Sequence, residues 1–170
     1  MSEGTEPVIG VQEELNRIID VSRTLLEVDD ETAAKRPAPD RWSVKEILGH
    51  LIDSAVNNHH RFVRLQHDPE LEFPGYKQND WVQIQKYQER DWKELVILWA
   101  TYNRHLLWII RHVDPTCLDR PWNASGQTWK VEEGAVDLRF LIRDYFDHMR
   151  HHLGQISAAI GREAEVGERP

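Results

Sequence analysis

The chain has 170 residues, 40% of them hydrophobic, which is the size of one compact domain with an apolar core. A formal net charge of −8 disfavours binding to nucleic acid or to an anionic membrane surface. The sequence has no apolar run of the roughly 18 residues needed to span a membrane, no secretory signal at its start, and a single cysteine, Cys117. We therefore expect one cytoplasmic domain over residues 1–170, frayed at 1–7 and 161–170.

Two amphipathic helices are predicted in the first half. The first covers roughly residues 8–28, where apolar residues recur at three- and four-residue steps. The second begins after Ser43, because Ser43-Val44-Lys45-Glu46 has the pattern of a capping box, and ends near Gln66, before the prolines of HDPELEFPGYKQND. The residues expected to face inward from this second helix are Ile47, Leu51, Ala55, Phe62 and Leu65.

Two further helices complete the expected fold. The third runs from Trp92 to Val113, with DWVQIQKY before it as a separate short helix, and the fourth runs roughly from Glu132 to Ile160, ending at Gly161. Residues 114–131 form either a small hairpin or an irregular loop. No strand pairs convincingly, so we predict an all-α four-helix bundle with long loops after helices two and three. These loops, near 69–80 and 114–130, are long enough to allow a helix order other than up-down-up-down and are candidate lids.

Three histidines lie in the helical stretch DYFDHMRHHLGQI, residues 144–156. At about 100° per residue, His148 and His152 lie within about 40° of each other, whereas His151 is about 60° away on the other side of His148. The first two therefore border the apolar stripe of helix four. By themselves they could simply be half-buried histidines that hydrogen-bond to neighbours.

The second helix carries a matching polar line beside its apolar stripe: His50, Ser54, Asn57 and Arg61. If helices two and four are neighbours, the two lines face one cavity and three imidazoles converge, those of His50, His148 and His152. Three protein ligands with an exchangeable fourth position are typical of a catalytic rather than a structural divalent site. Imidazole alone does not select among zinc, nickel, copper and iron.

Three segments together resemble the DinB superfamily of helical-bundle metalloproteins: RWSVKEILGHLIDSAVNNHHRF, the loop Tyr76–Trp81 and DHMRHHLGQI. Within it, the chain is similar to the YfiT-like branch, described as metal-dependent hydrolases and bacillithiol transferases. The likeness spans roughly residues 40–160. It implies that His50, His148 and His152 bind a metal, typically nickel or zinc, and that the bundle is a dimer.

Two reactions of a small-molecule substrate fit such a site. The metal could activate water for hydrolysis, or bind the thiolate of a low-molecular-weight thiol for transfer to an electrophile. The glutamate of an HExxH motif is absent, which disfavours a peptidase. Thiol transfer requires fewer groups from the protein than hydrolysis does, so it is the favoured reaction. Residues that could orient the histidines are Asp53, Asp144 and Gln155, and residues that could contact a thiol cofactor are Asn57 and Arg61. A non-catalytic metal-binding dimeric scaffold is the alternative from another class.

The other histidines are expected outside this site. His59, His60 and His67 fall on the outer side or at the end of helix two, where surface roles are the ordinary expectation. His105 and His112 could reach a cavity from helix three, but the sequence indicates no partner for either.

Overall fold

The computed structural model describes residues 10–68, 72–122 and 136–161. In these ranges the chain forms helices with almost no extended structure, the exception being one antiparallel bridge between Trp122 and Val136. Four helices are long and form the predicted four-helix bundle. The helices are α1 Val11–Leu26, α2 Asp30–Ala34, α3 Val44–Arg64, α4 Gln78–Ile84, α5 Trp92–Arg111 and α6 Leu138–Ala159, with 3₁₀ turns at Tyr87–Glu89 and Pro115–Cys117.

Side-chain caps fix where the long helices begin. The predicted capping box is present: the Ser43 hydroxyl accepts from the backbone N–H of Glu46, whose carboxylate accepts from the backbone N–H of Ser43. The fourth helix begins at Leu138, later than predicted, because the Asp137 carboxylate accepts from the first turn and caps it there. Residues 132–135, where the prediction placed its start, lie outside the described residues.

Helices α1 and α5 pack antiparallel. Near one end of the pair, the Arg111 guanidinium donates to the side-chain oxygen of Gln12 over 3.2 Å. Near the other, the buried indole N–H of Trp92 donates to the backbone carbonyl of Leu25 over 2.8 Å. The first residues of α1 thus lie beside the last residues of α5.

Helices α3 and α5 run parallel. The Lys45 ammonium donates to the backbone carbonyl of Arg90 over 2.8 Å at their N-terminal ends. At their C-terminal ends, the Cys117 thiol donates to the backbone carbonyl of Gln66 over 3.6 Å. The long link between these helices therefore crosses the full length of the bundle and contains α4.

Helix α6 packs antiparallel to α3. Phe62, late in α3, meets Tyr145, early in α6, whereas His50, early in α3, meets His152, late in α6. The four long helices thus run up, down, down and up. This order departs from simple alternation, as the long links allowed, and it places the histidine lines of α3 and α6 side by side.

The core is built from the predicted apolar stripes. The five inward residues expected on the second helix are all buried, and the stripes of α5 and α6 pack against them. One polar residue in this interior was not anticipated: Glu14 of α1 is fully buried, and its carboxylate accepts from the Arg150 guanidinium of α6. This contact joins the first and last helices of the bundle.

Within the part of the chain that the structure describes, none of the helices is both long and apolar enough to cross a membrane.

Candidate metal centre

Three imidazoles converge where α3 and α6 pack together. Each of His50, His148 and His152 offers a ring nitrogen, and these three nitrogens all lie within 4.8 Å of one another. The Nε2 atoms of His50 and His148 are 3.1 Å apart, and the three ring centroids are separated by 4.6 to 5.0 Å. Nitrogens that each lie about 2.1 Å from one tetrahedral ion are about 3.4 Å apart, so the His50–His148 separation fits a shared ion and a small closure of the triad would bring in the third ring. The three residues are those that the sequence predicted.

Burial keeps these imidazoles uncharged at neutral pH. His50 is 2% exposed, and His148 and His152 are partly buried. Burial, and then the neighbouring imidazoles, lower the pKa of His50 to about 3 and that of His148 to about 4. Burial also lowers the pKa of His152. Protons therefore do not compete strongly for the ring nitrogens near pH 7.

Hydrogen bonds at Nδ1 orient two of the three rings. The Nδ1 atom of His152 lies 2.9 Å from the side-chain oxygen of Gln155, and Nδ1 of His148 lies 3.4 Å from the Ser54 hydroxyl. If each Nδ1 carries the proton and donates it, Nε2 of each ring keeps its lone pair for a metal. Gln155 thus lies where it can orient the ring of His152. His151 accepts from the Gln155 amide over 3.0 Å and is exposed, outside the triad.

Asp53, also expected near His50, faces another group of side chains. Its carboxylate accepts from the Tyr87 hydroxyl over 2.7 Å and from the Gln85 amide over 2.5 Å. Burial raises the pKa of Asp53, while these two hydrogen bonds act in the opposite direction. The Tyr87 ring packs directly on Gly49, where an added Cβ would lie 2.2 Å from ring carbons. Asp53 thus fixes the tyrosine against the backbone that precedes His50.

A cavity of about 540 Å³ opens beside the triad. It is lined by residues of α3 and α6 and by the segment from 75 to 80, part of the first candidate lid. Asp144 lines it and is half-buried, and burial raises its pKa. Its lining residues are His50, Ser54, Asn58, Arg61, Gly75, Tyr76, Lys77, Gln78, Asn79, Asp80, Asp144, Tyr145 and His148.

The two residues predicted to contact a thiol cofactor differ in position. Arg61 lines the cavity and is 6% exposed. The Asn57 amide instead donates to the backbone carbonyl of Asp53 over 2.8 Å, and the neighbouring Asn58 lines the cavity. Of the second candidate lid, residues 114–130, the part from 123 to 130 lies outside the described residues.

Several side chains at this site were not singled out from the sequence. Asn58 follows Ser54 by four residues, a spacing that could have placed it on the same side of α3. Trp42 lies just before α3, and its ring centroid is 5.2 Å from that of His50. Tyr87 could not have been found by spacing, because it approaches from a separate turn.

The remaining histidines include one pair that the sequence did not reveal. His105 of α5, expected to lack a partner, lies with its ring centroid 5.2 Å from that of His59 of α3. The Nδ1 atom of His59 is also 2.7 Å from the Tyr102 hydroxyl. This pair could not be predicted from the sequence, because it depends on the parallel packing of α3 and α5.

Comparison with known proteins agrees with the sequence resemblance. A putative metal-dependent hydrolase of Oceanobacillus iheyensis is 23% identical over 157 residues, covering 90% of this chain and 87% of its own. A second, from Bacillus mycoides, is 24% identical over 119 residues, covering 69% of this chain and 64% of its own.

A solved structure shares the fold. It is YfiT from Bacillus subtilis, described as a probable metal-dependent hydrolase with an unusual four-helix bundle topology. The match has a TM-score of 0.74 and 16% identity, and it covers 96% of this chain and 91% of YfiT. The family model of the DinB superfamily matches residues 14–156. The chain therefore belongs to the DinB superfamily, with a YfiT-like fold.

Proposed function

We propose that this chain is a metal-dependent enzyme that binds one divalent ion, nickel or zinc, through His50, His148 and His152. The observation that carries the proposal is the convergence of three ring nitrogens within 4.8 Å at the edge of a cavity. Three neutral imidazoles are a donor set that suits either ion. The names of two relatives, as metal-dependent hydrolases, support a metal at this position.

The reaction that we propose is transfer of a small thiol, such as bacillithiol, to an electrophilic substrate. A divalent ion, when bound, lowers the pKa of a coordinated thiol or water. Gln155 and Ser54 orient the rings of His152 and His148, and Arg61 offers a cation to an acidic cosubstrate. The cavity provides room for both reactants. Low-molecular-weight thiols stay reduced in the cytoplasm, which is the compartment that we propose.

Hydrolysis is the second candidate, and Asp144 is the observation that favours it. Its carboxylate lines the same cavity as His50 and His148, and its raised pKa makes it a better proton acceptor than an ordinary aspartate. A hydrolase needs such an acceptor for the proton of the attacking water. The names of the relatives also favour this reaction.

One experiment separates the two reactions. Protein loaded with nickel or zinc is given 1-chloro-2,4-dinitrobenzene with and without bacillithiol, and separately a p-nitrophenyl ester without thiol. We expect conjugation that requires the thiol, is lost in His148→Ala and is retained in His60→Ala, an exposed position on α3.

Ester cleavage without thiol, lost in Asp144→Asn, would favour the hydrolase instead. Neither activity, in protein that holds its metal and does not exchange it with imidazole, would favour the non-catalytic scaffold.

We also propose that the protein is a homodimer, as other members of the family are expected to be. Exposed apolar side chains on α5 support this state: Ile97 is 57% exposed and Trp108 is 63% exposed. These two residues are 11 positions apart and lie on the same face of α5, and contiguous exposed apolar surface is a feature of protein interfaces. Sedimentation of the parent and of Trp108→Glu tests the proposal, and a monomeric parent would contradict it.

A further inference from the structure

The cavity beside the triad has different chemistry at its two ends. Because α3 and α6 are antiparallel, His50 and His148 lie toward one end, and Arg61 and Asp144 lie toward the other. Arg61 follows His50 by 11 residues, which corresponds to a rise of about 16 Å along α3. Long side chains lean toward the N-terminus of their helix, so the guanidinium lies closer to the triad than its Cα does.

Arg61 is buried deeply for a charged residue. Only 6% of its surface is exposed, although it lines the cavity. Removing a guanidinium from water costs several kcal/mol unless anions and hydrogen-bond acceptors replace the lost hydration. Burial accordingly lowers the pKa of Arg61, and the nearby Asp144 acts in the opposite direction. Arg61 thus places a largely buried positive charge at the wall of the cavity.

A chain of buried polar side chains holds Arg61 in place and leads to the triad. Its Nη1 atom donates to the Asn58 side-chain oxygen over 3.2 Å, and the Asn58 amide lies 3.4 Å from the Ser54 hydroxyl. Ser54 in turn lies 3.4 Å from Nδ1 of His148. Asn58 and Ser54 are 8% and 5% exposed. A guanidinium whose orientation is fixed loses little conformational freedom when it binds a ligand.

Two basic and two acidic side chains line the cavity, Arg61 and Lys77 against Asp144 and Asp80. Lys77 and Asp80 are both exposed, so selectivity for an oxyanion comes from the guanidinium itself. A guanidinium has five N–H donors in a planar array that matches a carboxylate, and Asn58 accepts from one of its nitrogens. A divalent ion at the triad would add further positive charge to the same cavity.

We propose that Arg61 is an anion subsite, so that a reactant bound in this cavity carries a carboxylate or a similar oxyanion at the end away from the histidines. The inference rests on the proposed function, since the reacting group of that molecule would lie at the triad. The anion belongs either to the thiol or to its partner substrate. Asn58 is a positioning residue that acts through Arg61.

Cobalt-substituted protein tests the subsite, because a thiolate bound to cobalt gives a charge-transfer absorption that measures binding without turnover. The probes are mercaptopropionate, mercaptohexanoate and mercaptooctanoate, each paired with the mercaptoalcohol of the same length. We expect one acid to bind about tenfold or more tightly than its alcohol, since a charge-assisted hydrogen bond has this strength. The preferred length reports the distance between cobalt and Arg61.

Variants of two arginines on α3 make the comparison specific. Arg61→Gln should remove the preference for the acid while leaving the affinity for the alcohol unchanged, and Arg61→Lys should restore part of it. Arg64→Gln, at an exposed position three residues further on, should keep the full preference. A preference that survives in Arg61→Gln would overturn the proposal.

A second titration identifies the source of the anion. If acid and alcohol bind equally, hexanoate is titrated into protein saturated with 2-mercaptoethanol. Binding that is lost in Arg61→Gln assigns the anion to the partner substrate, and absence of binding overturns the subsite. If cobalt or thiols do not bind at all, the proposed function fails, and hexanoate binding to the metal-free protein still decides the role of Arg61.

Discussion

Helix α3 contributes one histidine to each of two groups, which are alike in ring geometry but differ in their surroundings. His50 meets His148 and His152 with centroid distances of 4.8 to 5.0 Å and interplanar angles of 74 to 75°. His59 meets His105 at 5.2 Å and 79°. Proximity of imidazoles therefore does not distinguish the two groups.

What separates them is burial, the number of rings and open space nearby. His50 is 2% exposed and lies beside the cavity, whereas His105 is exposed and His59 is only partly buried. The first group offers three converging nitrogens, while His59 makes a hydrogen bond to the Tyr102 hydroxyl. A metal site needs several neutral donors with a shared focus, and only the first group supplies them among the described residues.

Acid should destabilise the metal-free protein mainly through the first group. The pKa values of His50 and His148, about 3 and 4, lie below the ordinary value of 6.5. Between these values the unfolded chain binds more protons than the folded one, so the free energy of unfolding falls as pH falls from 6.5 toward 4. We expect a loss on the order of a few kcal/mol. Urea unfolding of chelator-treated protein at a series of pH values measures it.

Glutamine variants assign this acid sensitivity. His50→Gln combined with His148→Gln should remove most of the pH dependence in that window. His59→Gln combined with His105→Gln should remove less, because His59 is less buried, although its pKa is also lowered. Equal effects of the two pairs would mean that burial does not separate the two groups.

Gly49→Ala should damage only the first group. The new Cβ would lie 2.2 Å from carbons of the buried Tyr87 ring, which would have to leave its hydrogen bond to Asp53. We expect the free energy of unfolding to fall by about 2 kcal/mol, together with weaker metal binding through the adjacent His50. Thermal unfolding and chelator competition measure the two effects.

Gly154→Ala is the matched control, because a Cβ there meets nothing within 4 Å and α6 should gain from a better helix former. It should stabilise the protein by about 0.5 kcal/mol. Similar destabilisation by both substitutions would contradict the close packing of Tyr87 on Gly49.

Gln155→Ala should weaken metal binding by about tenfold without preventing it, because His152 would lose the acceptor that orients its ring. Competition with a chromogenic chelator measures the affinity. Gln12→Ala, an exposed position on α1, is the control. An unchanged affinity in Gln155→Ala would show that the ring is oriented by packing alone.

Tyr102→Phe tests the second group and should have the smallest effect. It removes the hydrogen bond to His59, which contributes about 0.5 to 1 kcal/mol to stability. Metal affinity at the triad should not change. A loss of tight metal binding in this variant would show that the metal binds near His59 and not at the triad.

The sequence predicted the helices, and the histidine line on each of two helices, because both depend on local periodicity. That the two lines meet required the condition that helices two and four are neighbours, or the family resemblance. The Ser43 cap and the positions of His50, His148 and His152 follow from spacing along single helices. The start of α6 was predicted too early, because the Asp137 carboxylate caps the helix and so sets its first residue.

Contacts between distant segments could not be predicted in this way. The Glu14–Arg150 and His59–His105 contacts depend on how helices pack, and the hydrogen bond from Tyr87 to Asp53 depends on the path of the loop before α5. The choice of Asn58 over Asn57 as a cavity residue depends on the rotation of α3 about its axis. A sequence pattern predicts which side of a helix faces a site, but it does not predict which individual residues on that side line the cavity.

Metal content is the measurement that tests the central claim most directly. It is determined by elemental analysis of untagged protein for the parent, for His50→Ala and His148→Ala, and for the His59→Ala/His105→Ala double variant. The account predicts about one equivalent of nickel or zinc in the parent and the double variant, and none in the two single variants, with helicity unchanged. A parent that is free of metal and takes up neither added ion would contradict it. So would metal that is retained in both single variants and lost only in the His59→Ala/His105→Ala double variant.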